Sequence, residues 1–429
     1  MSLATARDED ARPAPDSIAP PAQMPRRILF VERQPRNAQA LSEALAQSGP
    51  HWSVEAVGSG EQALAALGAE PADVVIADER LEEMDGVTLL TRVREKHPTA
   101  IRMILSEGAT SQRPSVAAIV AHRMLAKPCN VAEVEVAVRR SCALHQLNDQ
   151  AEAHRKTMKA AALPSRPGVY MELNRVLTDP GWQPNQIAAV VERDVAMTAK
   201  VLQLANSALF GLTQTVTSVQ GAVMFLGVDT IKSLALTAEA FGKLAPRNVD
   251  GFSIEAFQAH AMLVARITAA ILPAGRAQQE AVTAALLHDI GKLVLISDSG
   301  QRWTQLHRMA IEREVPLHTV ELEIEGVTHA DIGSYLLSLW GLPDGIAEAV
   351  AHHHTAGSVE GLALDGVAAV HIADALAHEL GPAGDDPTPP AILDEILVER
   401  LGLASRIEEW RATARRLEDV ATDPDAEGH

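Results

Sequence analysis

His288 and Asp289 stand side by side at the end of an apolar run, Ala284-Ala285-Leu286-Leu287, and Gly291-Lys292 follow almost at once. Burying an ionisable pair is costly unless it is paired, hydrogen-bonded or bound to a metal. At helical spacing Ala281, Ala284, Ala285 and His288 share one face, so His288 points with the small residues into packing. Neutral imidazole and carboxylate are ligands that borderline and hard divalent ions accept, so a metal suits the pair. For an isolated pair, a core histidine beside a helix-capping aspartate is the plainer account.

The pair has company. His260 follows Phe257 and precedes Val264 on a helix face, and His329 opens the segment Ala330-Asp331-Ile332-Gly333. His353-His354 end a helical run at Ala347–Ala351, and Asp374 sits inside the apolar run Val370–Leu376. The chain has 16 histidines, so chance alignment competes with a ligand set, and it is placement on amphipathic segments that separates these from the rest.

In order, His260, His288-Asp289, His329, His353-His354 and Asp374 resemble the ligand series of HD-superfamily metal phosphohydrolases. The resemblance is to the HDOD branch, which is related to the HD-GYP cyclic-dinucleotide phosphodiesterases. It includes Leu163-Pro164, Asp194, Lys200-Val201-Leu202, Asn206-Ser207, Ala222 and Leu226-Gly227. It continues through His329-Ala330, Gly333, Leu336-Leu337 and Trp340-Gly341-Leu342-Pro343. The resemblance implies one or two divalent ions (Mn, Fe or Zn) held by the seven His and Asp residues, with Asp289 as bridging ligand if two bind. Such ions activate a water and clamp phosphate oxygens. Lys292, one turn beyond His288, would meet a substrate phosphate as a point charge, or snorkel at the surface. His352 reads as a neighbour of the pair. Two departures count against cyclic-dinucleotide hydrolysis. Thr355-Ala356-Gly357-Ser358 stands where the HD-GYP relatives carry a Gly-Tyr-Pro loop, and Ala256 stands where they carry a glutamate, with Glu255 one position off. Many HDOD domains work without catalysis.

The elements that lead to these residues divide into two kinds. From Arg27 short apolar strands alternate with helices: strands at Arg27–Val31, Ser53–Val57, Asp73–Ala77, Ile101–Leu105 and Arg123–Ala126. The helices are expected at Asn37–Gln47, Gly60–Leu67, Gly86–His97, Pro114–Val120 and from Val131. This alternation predicts a parallel, doubly wound sheet, whose ligands bind outside the carboxyl ends of the strands, where Asp78 falls. Residues 26–145 resemble a response-regulator receiver domain, flavodoxin-like in fold. Asp78 matches its phospho-acceptor, followed by Met84-Asp85-Gly86; Ser106 matches its hydroxyl position, and Lys127, ahead of Pro128, its lysine. In that family the carboxylate attacks a phosphoryl donor while Mg²⁺ and the lysine neutralise charge. After the first strand the family carries two acidic residues for Mg²⁺, and this chain has Glu32 and Arg33. Glu32 still offers oxygen to a hard cation. Arg33 sets a positive charge at the metal position, so either the guanidinium partly replaces the ion or Mg²⁺ binds in a rearranged shell.

After Pro167 the pattern is helical, with i, i+3, i+4 apolar spacing at Ile187–Val191, Val195–Ala205, Val219–Phe225, Thr230–Leu244 and Phe257–Ile271. The chain therefore divides into a disordered tail (1–25), the receiver (26–145), a helical connector (146–162), an all-α HDOD domain (163–380), and a linker with closing helices and a frayed tail (381–429). The connector transmits receiver state or is a solvated spacer, and a homodimer through the receiver is compatible with the pattern.

Composition sets the outer bounds. The formal charge of −19 disfavours DNA, whose phosphates call for Lys and Arg. No run reaches the roughly 18 uninterrupted apolar residues of a spanning helix, so no membrane is expected. Cys129 and Cys142 are too few for a disulfide framework, which fits a reducing cytoplasm. Three functions follow: a two-component regulator whose receiver, served by a sensor histidine kinase or other phosphodonor, controls an HDOD output that binds protein partners; a metal-dependent phosphohydrolase; and a nucleotide second-messenger sensor without turnover.

Overall fold

The computed structural model describes residues 26–33, 42–46, 52–106, 117, 120–158, 167–179, 181–193, 195–205, 216–244, 249–361, 363–380 and 392–422. The tail 1–25, most of the helices expected at 37–47 and 114–120, Leu163-Pro164, Asp194, Asn206-Ser207, the linker at 381–390 and residues 423–429 lie outside them.

The N-terminal part is one parallel sheet of β1 (Arg26–Val31), β2 (Trp52–Val57), β3 (Val74–Asp78), β4 (Ile101–Ser106) and β5 (Arg123–Ala126), in the order β2-β1-β3-β4-β5. Every residue of β3 and β4 is buried, as continuous apolar runs in a two-sided sheet must be. Separate apolar clusters fill the two faces: Leu29, Val75 and Leu90 on one, Phe30, Ile76 and Met103 on the other. The order reverses between β1 and β3, so their carboxyl ends, at Glu32 and Asp78, border the same crevice. Helix α1 (Gly60–Ala69) follows β2, and α2 (Gly86–Lys96) follows β3. A side chain at Gly86 would place its Cβ 2.1 Å from the carbonyl oxygen of Asp78, so only glycine lets α2 begin there.

Helix α3 (Val131–Met158) closes the sheet through Val134, Ala137 and Val138 and then runs on without a break. The closing helix and the expected connector are thus a single element as far as Met158. Its later turns lie against the helical domain, where Leu144 and Leu147 pack with Ala347 and Ala351.

That domain comprises α4 (Gly168–Leu177), α5 (Pro184–Val191), α6 (Val195–Ala205), α7 (Val219–Leu226), α8 (Val228–Leu244), α9 (Ile254–Ile271), α10 (Arg276–Leu287), α11 (Ile290–Asp298), α12 (Gly300–Arg313), α13 (Leu317–Glu325), α14 (His329–Trp340), α15 (Asp344–Ala351), α16 (Gly366–Glu379), α17 (Glu395–Arg400) and α18 (Ala404–Thr422). One core runs from Tyr170 to Ala414, and Trp303, Leu306 and Val320 form a smaller one beneath α12 and α13. Polar caps start the helices cleanly: Ser253 for α9, Asp365 for α16, and a Thr328/Asp331 capping box for α14. Gly341, at φ 82°, ends α14 and hands the chain to Leu342-Pro343. Among the described residues, one helix, α9, is long and apolar enough to cross a membrane, yet it lies against α10, α16 and α18 and carries His260.

Candidate metal centre

Five elements converge on one point. α9 supplies His260, the α10–α11 junction supplies His288 and Asp289, the start of α14 supplies His329, the turn after α15 supplies His353 and His354, and α16 supplies Asp374. Close backbone approach makes the convergence possible. At Gly291 a Cβ would lie 1.9 Å from the carbonyl oxygen of His329, so the starts of α11 and α14 touch through bare backbone.

The seven residues predicted from the sequence lie within reach of one another. His260 Nε2 is 2.9 Å and His288 Nε2 3.5 Å from Asp374 Oδ1, and His288 Nε2 is also 3.5 Å from Asp289 Oδ2. On the other side of Asp289, Oδ1 is 3.2 Å from His329 Nε2 and 3.6 Å from His353 Nε2. His354 Nε2 lies 3.0 Å from His329 Nε2, and its Nδ1 is 3.9 Å from Asp374 Oδ2. Asp289 therefore stands between two groups of donors: His260, His288 and Asp374 towards one side, His329, His353 and His354 towards the other.

The backbone fixes the tautomers. His288 Nδ1 lies 2.8 Å from the carbonyl of Ala285 and His353 Nδ1 2.7 Å from that of Val350; each carbonyl takes the Nδ1 proton and leaves the Nε2 lone pair pointing inward. Those two nitrogens, with Asp289 Oδ1, Asp374 Oδ2 and His354 Nδ1, are buried and have no hydrogen-bond partner. Orphaned polar atoms in such number are costly in a folded core. The donor set suits a cation. Two donors bound at about 2.1 Å to one ion sit about 3.0–3.4 Å apart, close to the spacings found here.

The electrostatics divide the cluster: against burial, Asp289 and Asp374 raise His288 above its ordinary value. Burial alone would raise Asp289 and Asp374, yet both are held well below the usual carboxylate range, Asp289 by Lys292 and His288, Asp374 by His378 and His260. Burial pushes His353 down to about 4 and His354 well below its ordinary value, so both present neutral rings. His329 goes the other way, to about 9, because Glu321 and Asp289 outweigh burial. Lys292, half-buried, has its Nζ 2.7 Å from Asp289 Oδ2.

Three neighbours outside the predicted set join the cluster. Glu321, on α13, holds His329 from behind. His318 stacks on His354 with centroids 4.1 Å apart. His378 lies 3.5 Å from Asp374 Oδ1, and its i, i+4 spacing on α16 is a signal that could have found it. His352 caps α15 and faces Thr355, away from the cluster.

In the receiver, Lys127 Nζ bridges Asp78 Oδ2 at 2.7 Å and Glu32 Oε2 at 2.9 Å, and these carboxylates outweigh burial to raise its pKa. The Lys127–Pro128 peptide is cis. Ser106 Oγ donates to Glu79 Oε2 at 2.7 Å, a residue the sequence reading passed over. Arg33 is exposed, and among the described residues no hydrogen bond or ion pair joins it to Asp78 or Glu32, where Lys127 stands instead.

Comparison with known proteins finds a match for each of the two parts of the chain. The family model described as the response regulator receiver domain matches residues 28–139, and that of the HDOD domain matches residues 163–356. An uncharacterized protein of Treponema pallidum is 26% identical over 193 residues, 45% of this chain and 37% of that protein. The transcriptional activator protein PfeR of Pseudomonas aeruginosa is 32% identical over 109 residues, 25% of this chain and 35% of its own. The chain thus spans little more than a third of the length of either relative. A putative signal transduction protein from Marinobacter aquaeolei, of known structure, aligns at TM-score 0.50 and 19% identity, covering 78% of this chain and 82% of that one, which is a likeness of fold.

Proposed function

Starting from a chain that joins a response-regulator receiver domain to an HDOD domain, we propose a signalling regulator of two-component type whose HDOD output holds a divalent metal centre. The receiver implies a phosphodonor such as a sensor kinase, with Asp78 as acceptor and Lys127 beside it. The observation that carries the metal reading is the set of five buried polar atoms without hydrogen-bond partners on His288, Asp289, His353, His354 and Asp374, residues that fall into overlapping groups of mutually close donors. His260 and His329 complete the shell. Mn²⁺, Fe²⁺ or Zn²⁺ fits imidazole and carboxylate together. When bound, such an ion acidifies a water and polarises phosphate oxygens.

The chain's own residues divide the remaining work. Asp289 spans the two donor groups, Glu321 fixes the ring of His329, and the Ala285 and Val350 carbonyls fix those of His288 and His353. We place output chiefly in binding a partner or ligand. Hydrolysis of a phosphoester is the second reading, supported by Lys292, an ammonium 2.7 Å from Asp289 Oδ2 and of the chemistry that donates to a phosphate oxygen.

Metal content of untagged protein tests the first reading, against His288→Ala and Asp289→Ala variants of unchanged circular dichroism. About one or two ions per chain, lost in both variants, is the expected result. No metal in the parent after addition of Mn²⁺, Fe²⁺ or Zn²⁺ would end the metal centre and the hydrolytic reading with it, and leave output to the binding of protein partners. A metal-loaded parent then goes to a screen of phosphodiesters and nucleotides, in which product separates hydrolysis from binding.

A further inference from the structure

Glu348 lies on α15 five residues before His353, is almost wholly buried, and has both carboxylate oxygens taken by the receiver. Arg123 Nη2, from β5, donates to Oε2 at 2.6 Å, and Arg140 Nε, from α3, donates to Oε1 at 2.6 Å. Arg123 is itself tied to α3 through Ser141 Oγ at 3.1 Å. Arg140 reaches further, to Asp365 Oδ2 at 2.6 Å, while Asp365 Oδ1 caps α16, the helix of Asp374. The start of α15 is held too, since Asp344 N donates to the carbonyl of His122 at 2.7 Å. Farther along α3, Asn148 donates to Ser338 Oγ on α14, the helix of His329.

The receiver and the continuation of its closing helix thus grip the three helices that deliver His329, His353-His354 and Asp374. The opposite end of the same grip is the phosphorylation site. Lys127 directly follows β5, four residues after Arg123, and its Nζ is bound to Asp78. A buried carboxylate shared by two arginines tolerates little movement, because releasing either one leaves charge without a partner. A shift of Lys127 along the line of β5 would therefore bear on Arg123 and, through it, on Glu348.

We propose that Glu348, clamped by Arg123 and Arg140, is the positioning residue through which the state of Asp78 sets the placement of His353 and His354. This regulation rests on the reading of the His/Asp cluster as a metal centre. It needs no contact between Asp78 and the centre, only a rigid α15.

Two readouts on the full chain separate the ideas. Amide hydrogen exchange over residues 344–354 reports on α15 whether or not metal binds, and equilibrium dialysis with Mn²⁺ reports on the centre. Asp78→Asn is expected to change exchange over 344–354 several-fold, and the Arg123→Gln/Arg140→Gln variant to raise it and weaken Mn²⁺ binding. With both arginines replaced, Asp78→Asn should have no further effect. Arg123→Lys/Arg140→Lys, which keeps both charges, should fall between the parent and the glutamine variant and guards against mere misfolding. Exchange that is unchanged in the glutamine variant, or an Asp78→Asn effect that survives it, would overturn the coupling. So would altered exchange with unaltered Mn²⁺ affinity. A parent that binds no Mn²⁺ defeats the metal reading alone, and exchange still decides whether Asp78 and α15 are linked.

Discussion

His329 Nδ1 lies 2.6 Å from Glu321 Oε2, and the same oxygen accepts the backbone amide of His329 at 2.9 Å. One fully buried carboxylate oxygen therefore fixes both the ring and the start of α14, and it turns Nε2 towards Asp289. A carboxylate behind a ligating histidine sets ring orientation and raises ligand basicity, and its loss usually costs metal centres about 10–100-fold in affinity. Glu321→Gln keeps the volume and one acceptor but loses the charge. Mn²⁺ affinity is expected to drop within that range, with helix content unchanged by circular dichroism. Equal affinity in parent and variant would mean that packing alone orients His329.

Acid should loosen the junction between the two domains. Burial pushes His122 down to about 3, with Arg102 and His145 adding to the effect and Asp344 opposing it. Its folded value lies below its unfolded one of 6.5, so its share of stability is complete above pH 6.5. That share is lost as pH falls from 6.5 towards 3, at up to about 1.4 kcal/mol per pH unit. Between pH 7 and pH 5 the parent should lose about 2 kcal/mol through this residue. Urea midpoints at the two pH values measure it, with His122→Asn expected to lose correspondingly less. The same loss in both proteins would assign the acid sensitivity to other groups.

Much of this is legible in the sequence itself, for physical reasons that differ by element. β3 and β4 are buried on both faces, so their composition shows as unbroken apolar runs, and Asp78 marks where one run ends. The His288-Asp289 pair stood out because charge interrupts a helix of small residues. Glu321 left no such mark: it sits on another helix, eight residues before His329, among Glu323 and Glu325, which are exposed or partly so. Glu348 was harder still. Its partners Arg123 and Arg140 are 225 and 208 residues away, and nothing local distinguishes a glutamate that meets two arginines from one that meets water. Glu79 was passed over because it adjoins Asp78, and strand alternation does not tell which carboxylate Ser106 will face.

Gly291 offers the strictest check on how α11 and α14 meet. A Cβ there would lie 1.9 Å from the carbonyl oxygen of His329, 2.7 Å from its carbon and 2.9 Å from the nitrogen of Gly333. All three are backbone atoms, so no rotamer change can relieve the clash, and the two helix starts must part. Overpacking of this kind costs about 1–3 kcal/mol, and the absence of a yielding side chain favours the upper end. The displacement falls on the 3.2 Å contact between Asp289 Oδ1 and His329 Nε2, which joins those same two helix starts. Gly291→Ala should therefore weaken Mn²⁺ binding out of proportion to its effect on the urea midpoint. Gly68→Ala, on α1 with nothing within 4 Å of the new Cβ, is the matching control and should leave both measurements near the parent's. A Gly291→Ala protein that folds and binds Mn²⁺ as the parent does would show that the centre tolerates a shift between α11 and α14, and that the bare-backbone contact is not what holds Asp289 to His329.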